Sequence, residues 1–454
     1  MSQITQSKVH FIGIGGIGMS GIAELLHNMG AEVSGSDQSD NDQTQRLTSM
    51  GVEVFKGHRS EQVESADVVV YSSAVQPENV EFARAVEMKI PIIGRAEALA
   101  EIMRLKRGVA IAGTHGKTTT TSFTAQIFLE AQLDPTIVVG GRLDVIKSNA
   151  KLGAGEWLVA EADESDGSFL RLSPELAVIT NVDYDHLDFY GSKENVEAGF
   201  RQFADRIPFY GHIVVCGDDV ALLKCLSEFR KPISTYGFSE SCDYKLVGEN
   251  SKYEIFFQNE SLGKIEMPLP GQHNALNALA AMIVAEKAGI PFSVSISAIE
   301  SFAGVDRRLQ KKGIFGGVEF YDDYGHHPTE VKAVLSSLKE KYPSKELHVI
   351  FQPHRYSRTR DCWAEFTQCF EAADHLYLLD IYPAGEQPLD GISSTELHKS
   401  IPLKGKTLVN ELDPADIVSQ LLADMQWKEG DVVLTLGAGN VSRIGDLLRG
   451  RLNS

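Results

Sequence analysis

Short runs of apolar residues alternate along the chain with longer stretches in which apolar positions recur every three or four residues. The stretch "VHFIGIGGIGMSGIAELLHNMG" (9–30) sets the pattern. Its first residues read as a strand and its glycines as a turn. Met19, Ile22, Leu25, Leu26 and Met29 then form one face of a helix that Gly30 closes. "AEVSGSD" and "DVVVYSS" read as further strands. So do "GVAIAG", "EWLVAE", "LAVIT" and "HIVVC" in the middle of the chain, and "HVIFQ", "HLYLLD" and "DVVLTL" towards its end. Strands alternating with helices predict an α/β fold built on parallel sheets. Many of these strands end in acidic or polar residues, and open α/β sheets gather ligands at the carboxyl ends of their strands.

A chain of 454 residues fits three domains at about 150 residues each. The basic stretch Arg104 to Arg107 marks a first boundary, and "QKKGIFGG" (310–317) reads as a second linker. The expected organisation is a Rossmann-like domain at 1–107, a P-loop ATPase-like central domain at 108–312 and a Rossmann-like α/β domain at 313–454. No low-complexity segment or short-period repeat interrupts it.

Composition narrows the partners. With 43 basic against 62 acidic residues the net charge is −19. That excludes a nucleic-acid polymer, which needs a basic footprint, and leaves small phosphorylated ligands to local loops. The start lacks a charged segment ahead of an apolar core, and no run reaches the ~18 apolar residues of a membrane span. The expectation is a cytoplasmic chain. Cys216, Cys225, Cys242, Cys362 and Cys369 form no CxxC pair and sit in no glycine-rich or His-flanked elbow; they read as reduced core residues.

Two glycine loops carry the candidate chemistry. Gly13-Ile14-Gly15-Gly16-Ile17-Gly18 follows a strand and opens a helix, and Asp37 ends the next strand. Such a loop lets the backbone approach a diphosphate at a helix N-terminus. NAD, FAD and a UDP-sugar all carry one, so the loop does not choose among them. The second loop, Gly113-Thr114-His115-Gly116-Lys117-Thr118, lies in "GVAIAGTHGKTTTTSF" (108–123). The usual phosphate loop has a glycine five residues before its Gly-Lys pair; here Ile111 fills that slot. The working parts remain: a turn glycine, amides at a helix start, a lysine for the β/γ-phosphates and a hydroxyl for Mg²⁺. An NAD-dependent oxidoreductase uses only the first loop. A nucleotide-sensing switch uses the second but leaves the motifs past residue 323 without a task.

"GTHGKTTTT", "EADESD", "DYDH", "GQHNALNA", "DRRL" and "DDYGHHPTE" occur in order over nearly the whole length. In these motifs the chain resembles the Mur ligases, cytoplasmic enzymes that add amino acids to a UDP-N-acetylmuramyl precursor of peptidoglycan. The shortened loop is that family's own form. The opening segment, "YGHHPTE" and "FQPHRYSRTR" are most similar to the member that uses UDP-N-acetylmuramate and L-alanine. A murein-tripeptide-recycling relative ranks second, since it tends to have Phe at the position of Tyr324 and lacks the run at 354–358.

The resemblance implies ATP and two Mg²⁺ ions, with Mn²⁺ able to substitute, and an acyl phosphate attacked by the amino acid's amine. It assigns ATP to Gly113, Thr114, His115, Gly116, Lys117, Thr118, Thr119, Asn274, Asn277, Arg308 and Asp323. It gives metal to Thr118, Glu161 and His186, with Asp163, Glu164, Asp183 and Asp185 as alternative ligands. UDP-muramate falls to Gly15, Gly16, Ile17, Gly18, Asp37, His58, Ser72 and Ser73. Tyr324, His326, Arg355 and Arg358 would form the muramyl and amino-acid pocket, with Lys117, Arg308 and His326 catalytic. Arg307 would point elsewhere. Glu197 stands where other members place a carbamylated lysine, and Asn274 has a second reading as a helix cap. On so acidic a chain, four basic residues within 354–360 mark a local anion site. A monomer or homodimer, closing its domains during turnover, completes the expectation.

Overall fold

Buried apolar strands decide the architecture, because a strand covered on both faces must be apolar throughout. The computed structural model describes residues 6–452 apart from 73, 144, 147 and 410–412. The first sheet contains β1 (Lys8–Ile12), β2 (Glu32–Asp37), β3 (Glu53–Lys56), β4 (Val68–Tyr71) and β5 (Ile92–Gly94). They are all parallel in the order β3-β2-β1-β4-β5, the nucleotide-binding arrangement in which the loop after β1 faces a ligand. The helix Ile17–Asn28 buries Met19, Ile22, Leu25 and Leu26, and Gly30 follows it at φ +98°.

The second sheet contains β6 (Arg107–Ala112), β7 (Thr136–Leu143), β8 (Ser148–Lys151), β9 (Trp157–Glu161) and β10 (Leu176–Ile179). It continues with β11 (His212–Cys216), β12 (Ile233–Gly237), β13 (Tyr244–Glu249), β14 (Lys252–Phe257) and β15 (Glu260–Glu266). Their order is β15-β14-β13-β12-β11-β10-β6-β9-β7-β8, so β6 lies inside the sheet between parallel β10 and β9. The helix Lys117–Glu130 leaves directly from its carboxyl end. These two sheets belong to one compact unit (residues 1–247, 253–268 and 276–303). The β7–β8 hairpin lies against the helix Ile17–Asn28, and the Asn149 amide donates to the Ile17 carbonyl.

The second unit takes residues 248–252, 269–275 and 304–454. Its sheet contains β16 (Gln310–Phe315), β17 (Val318–Asp323), β18 (Leu347–Phe351), β19 (His375–Leu378), β20 (Lys406–Leu408) and β21 (Val432–Leu436). The order is β16-β17-β21-β18-β19-β20, parallel except for β16. Leu347, Val349 and Phe351 face one apolar core and Ile350 the other, as alternation along a strand requires.

Where the sequence reading sets a linker at 310–317, the chain forms β16 and a tight hairpin. Gly316 and Gly317 turn it at φ +57° and +80°, a pair of positive values that suits a two-residue hairpin and favours glycine. The glycines that resemble a flexible joint are turn chemistry. The boundary consequently falls at 303/304 instead of 312/313, and Arg308 belongs to the second unit. No helix among the described residues is long and apolar enough to cross a membrane.

Glu319 of β17 tests the electrostatics of this sheet. Burial alone would raise its pKa. Hydrogen bonds from the Tyr342 hydroxyl (2.7 Å) and the ammonium groups of Lys311 (2.9 Å) and Lys345 (3.1 Å) outweigh that and hold it at about 2, against 4.5 when unpaired. With the folded value the lower one, the stabilisation is whole above about pH 4.5 and is lost as pH falls towards 2. Glu319→Gln is expected to cost about 1–3 kcal/mol at pH 7 in urea unfolding. The gap to the parent should shrink below pH 4.5; a gap independent of pH would refute the assignment.

Candidate active site

The loop after β6 ends in an unusual conformation. Gly116 sits at φ +82° at the N-cap of the helix Lys117–Glu130, and a Cβ there would lie 2.5 Å from Asn277 Oδ1. Only glycine fits. The loop is fastened from the carboxyl end of the neighbouring β10. The Asn181 side chain accepts from the His115 amide (2.9 Å), and Thr180 Oγ1 donates to the His115 carbonyl. Thr114 Oγ1 accepts from the Asp183 amide (2.9 Å), while His115 Nε2 stands 2.9 Å from Asp183 Oδ2.

Lys117 folds back over this loop. Its ammonium donates to the carbonyls of Gly113 (2.7 Å) and Thr114 (3.0 Å) and pairs with Glu164 Oε2 at 2.6 Å. Burial alone would lower its pKa; the charges of Glu164, Asp163 and Glu161 more than offset that and keep it raised. Burial pushes Glu164 up to about 7 despite the pull of Lys117. Thr118 Oγ1 donates to Glu161 Oε1 (3.2 Å), whose other oxygen accepts from the Gly140 amide. His186, held at a left-handed φ of +57°, brings Nε2 within 4.0 Å of Glu164 Oε1 and 3.6 Å of Asp185 Oδ2. A threonine hydroxyl, several carboxylates and an imidazole thus surround one buried lysine. The oxygen-rich part of this set suits Mg²⁺.

Asn277 lines the loop, as its approach to Gly116 requires. Asn274, in the first turn of the helix Gln272–Lys287, donates its side-chain amide to the Pro270 carbonyl (2.7 Å), whereas an N-cap would accept from a backbone amide. The Glu197 carboxylate accepts from the Tyr184 hydroxyl at 3.2 Å. Thr119 is buried in the first turn of the helix.

The diphosphate loop lies in the same unit. Gly16 caps the helix that begins at Ile17. Asp37 is spent on the loop itself: Oδ2 accepts from the Gly15 amide (2.9 Å) and Oδ1 from the Ser39 amide. His58 Nδ1 lies 2.9 Å from Ser36 Oγ and 3.1 Å from the buried Glu81 Oε2. Ser72 follows β4, its hydroxyl accepting from the Ala74 amide; Ser73 lies outside the described residues. Sequence reasoning missed Arg95, whose guanidinium lies over Gly18 and pairs with Asp163 at 3.4 Å. It also missed Glu81, Asn181 and Thr180. Nothing local marks them, since each acts on a partner far away in the chain.

In the second unit the remaining residues collect at the carboxyl ends of β17, β18 and β21. Asp323 accepts from the amides of Leu309 (2.6 Å) and Gly325 (2.7 Å); burial raises it to about 6, against the pull of Arg308. Arg308 and Arg307 both lie over the Tyr324 ring, at 5.3 and 5.0 Å. Arg307 then turns to Asp322 (3.4 Å) and the Gly437 carbonyl. Burial pushes His326 down to about 3, so its imidazole is neutral. Its ring meets those of Tyr324 and His354 edge-on. Arg355 is held at φ +69°, and Arg358 reaches His354 Nδ1 at 3.4 Å. His354 stacks on Tyr382, a neighbour that the sequence reading leaves unassigned. All five cysteines are free, and Cys216, Cys225 and Cys369 are buried. Cys242 and Cys362 depart from the core-residue expectation: both are half-buried, and Cys362 Sγ lies 3.5 Å from His327 Nε2.

Three family profiles match the chain in order. They are described as Mur ligase family, catalytic domain (residues 8–107), Mur ligase middle domain (111–285) and Mur ligase, glutamate ligase domain (307–439). The UDP-N-acetylmuramate–L-alanine ligase of Bdellovibrio bacteriovorus is 54% identical over 449 residues, 98% of each chain. That of Geobacter sulfurreducens is 48% identical over 452 residues, 98% of this chain and 97% of its own. Among solved structures, the UDP-N-acetylmuramate-alanine ligase of Thermotoga maritima superposes with a TM-score of 0.82 at 27% identity, covering 98% of this chain and 99% of that one. A murein peptide ligase from Psychrobacter arcticus shares the fold, with a TM-score of 0.76 at 24% identity over 99% of both chains.

Gly116→Ala tests the cradle directly. A left-handed alanine costs roughly 1–2 kcal/mol before the clash with Asn277, so ATP affinity measured by calorimetry should fall at least about tenfold. Gly94→Ala, whose Cβ would meet nothing within 4 Å, should leave it unchanged. Equal affinities in the two variants would show that the loop does not hold the nucleotide.

Proposed function

The chain belongs to the Mur ligase family, and we propose that it joins L-alanine to the lactoyl carboxylate of UDP-N-acetylmuramate, driven by ATP, in the cytoplasm. As a member of that family it is an ATP-dependent ligase that forms an amide bond. The observation that carries the reading is the buried Lys117, set among carboxylates on a shortened phosphate loop in the same unit as a diphosphate loop. One loop then serves the UDP-sugar and the other the nucleotide.

The carboxylate of the muramyl group is a poor electrophile, and transfer of the γ-phosphoryl to it creates the acyl phosphate that an amine can displace. Phosphoryl transfer asks chiefly for positioning and for neutralisation of charge on the equatorial oxygens. Lys117 meets that demand, and loop amides reinforce it at the helix N-terminus. Thr118, Glu161 and His186 would hold Mg²⁺, with Glu164 beside them. The ion, when bound, neutralises phosphate oxygens. In the second unit the guanidinium groups of Arg355 and Arg358 suit the carboxylate of the amino acid, which a guanidinium grips at two points. His326 is neutral and so offers hydrogen bonds rather than charge. Arg308, paired with Asp323, is assigned to the phosphoryl group.

Phosphate release from ATP should require UDP-N-acetylmuramate and L-alanine together; release with either alone would overturn the assignment. Lys117→Met should lower that rate by about 10²–10³-fold, as for other electrostatic stabilisers. Glycine should be accepted with a kcat/KM roughly 10–200-fold below that of L-alanine, because one methyl discriminates only weakly. Undetectable glycine incorporation at saturation would exclude a simple methyl-sized pocket.

A further inference from the structure

At the edge of the second unit's sheet opposite its reactive strand ends lies a cluster that the ligase chemistry leaves unused. His348 of β18 stands in register with His375 of β19 and with Val433 of β21. Side chains two residues apart share a face, so Glu346, next to His348 but one, and Asp431, next to Val433 but one, lie on that same face. His348 is fully buried, and neither of its ring nitrogens has a hydrogen-bond partner. Its Nε2 lies 3.5 Å from Asp431 Oδ2, without hydrogen-bond geometry. His375 Nε2 is 3.2 Å from Glu346 Oε2. One ligand atom from each of Glu346, His348 and His375 falls within 4.8 Å of the others. The two imidazoles stack at 4.5 Å, and the Tyr377 ring also stacks on His348, at 6.2 Å.

We propose that Glu346, His348 and His375, with the Asp431 carboxylate beside His348, bind one divalent transition-metal ion of the zinc class. Two imidazole nitrogens and a carboxylate oxygen make a borderline-soft set that suits Zn²⁺ or Co²⁺ better than Mg²⁺. Two neutral rings and two carboxylates also balance the ion's charge. The 3.2 Å separation of His375 Nε2 from Glu346 Oε2 is close to the edge of a tetrahedron built on bonds of about 2.0–2.1 Å. The stacked rings hold their lone pairs side by side. Binding therefore turns His375, the partly exposed ring, towards the ion while His348 stays fixed. Lys428, 3.5 Å from Glu346 Oε1 and largely exposed, is free to swing aside. Its backbone amide donates to Asp431 Oδ2 at 2.6 Å, which fixes the carboxylate that faces His348. An ion here ties β18 to β19, away from the residues assigned to turnover.

The test uses the full-length protein stripped with a chelator, with Mg²⁺ and ADP in excess to occupy the nucleotide's metal positions. Titration with Co²⁺ should give one equivalent with the visible d–d bands of a tetrahedral ion, displaced by Zn²⁺. Zn²⁺ at about a hundredfold excess over its Kd should raise Tm by several degrees. His375→Gln and Glu346→Gln, both at the surface edge, should weaken the metal at least about tenfold and leave ligase kcat unchanged. The stacked pair would be packing alone if the parent protein takes up no Co²⁺ or if uptake survives intact in both variants; either result overturns the proposal.

Discussion

A lysine ammonium removed from water must be surrounded by negative charge, and the active half of the first unit is organised around that demand. Lys117 satisfies it with two loop carbonyls and the Glu164 carboxylate. The solution creates a second problem. Glu161, Asp163 and Glu164 together outweigh the single lysine, so a triphosphate enters a site that already repels it. Part of the repulsion is relieved by Glu164 itself, which at about 7 holds its proton about half the time near neutrality. In the proposed reaction a divalent cation arriving with the nucleotide would relieve the rest. A metal requirement would thus follow from how the lysine is buried.

Parallel strands explain why so few segments supply so many site residues. Every strand that runs the same way delivers its following loop to the same edge of the sheet. β1 delivers Gly13 to Gly18, β6 the Lys117 loop, β9 Glu161, and β10 Thr180 and Asn181. In the second unit β17 delivers Asp323 and Tyr324, and β21 Gly437. The opposite edge is under no such obligation, and there the residues of the second unit's sheet are available for unrelated chemistry.

Apolar periodicity carried most of the secondary structure, because buried parallel strands and amphipathic helices leave it in the residues themselves. The glycine loops were legible for the same reason: they are local. What escaped was relational. Asn181 and Arg95 act on partners many residues away, and strand order brings them there. The segment 310–317 was misread because a hairpin's glycines and a linker's glycines look alike until the partner strand is known. The separation of Asn274 from Asn277 follows the helix start, where the first amide turns back to the Pro270 carbonyl while the second faces Gly116. The Glu346–His348–His375–Asp431 cluster left no trace in spacing, since register assembles it from three strands.

The hairpin at 310–317 has one more effect. β16 is the outermost strand of its sheet, and an outermost strand offers unpaired amides and carbonyls to any other chain that can extend the ladder. Here that rim is irregular: the register slips between Lys311 and Gly313, and two consecutive lysines occupy the strand. A foreign strand would meet a kinked backbone and exposed or half-exposed positive charge instead of a flat template. An irregular, charged rim of this kind disfavours the addition of a further strand, a property of the sheet's edge quite apart from catalysis.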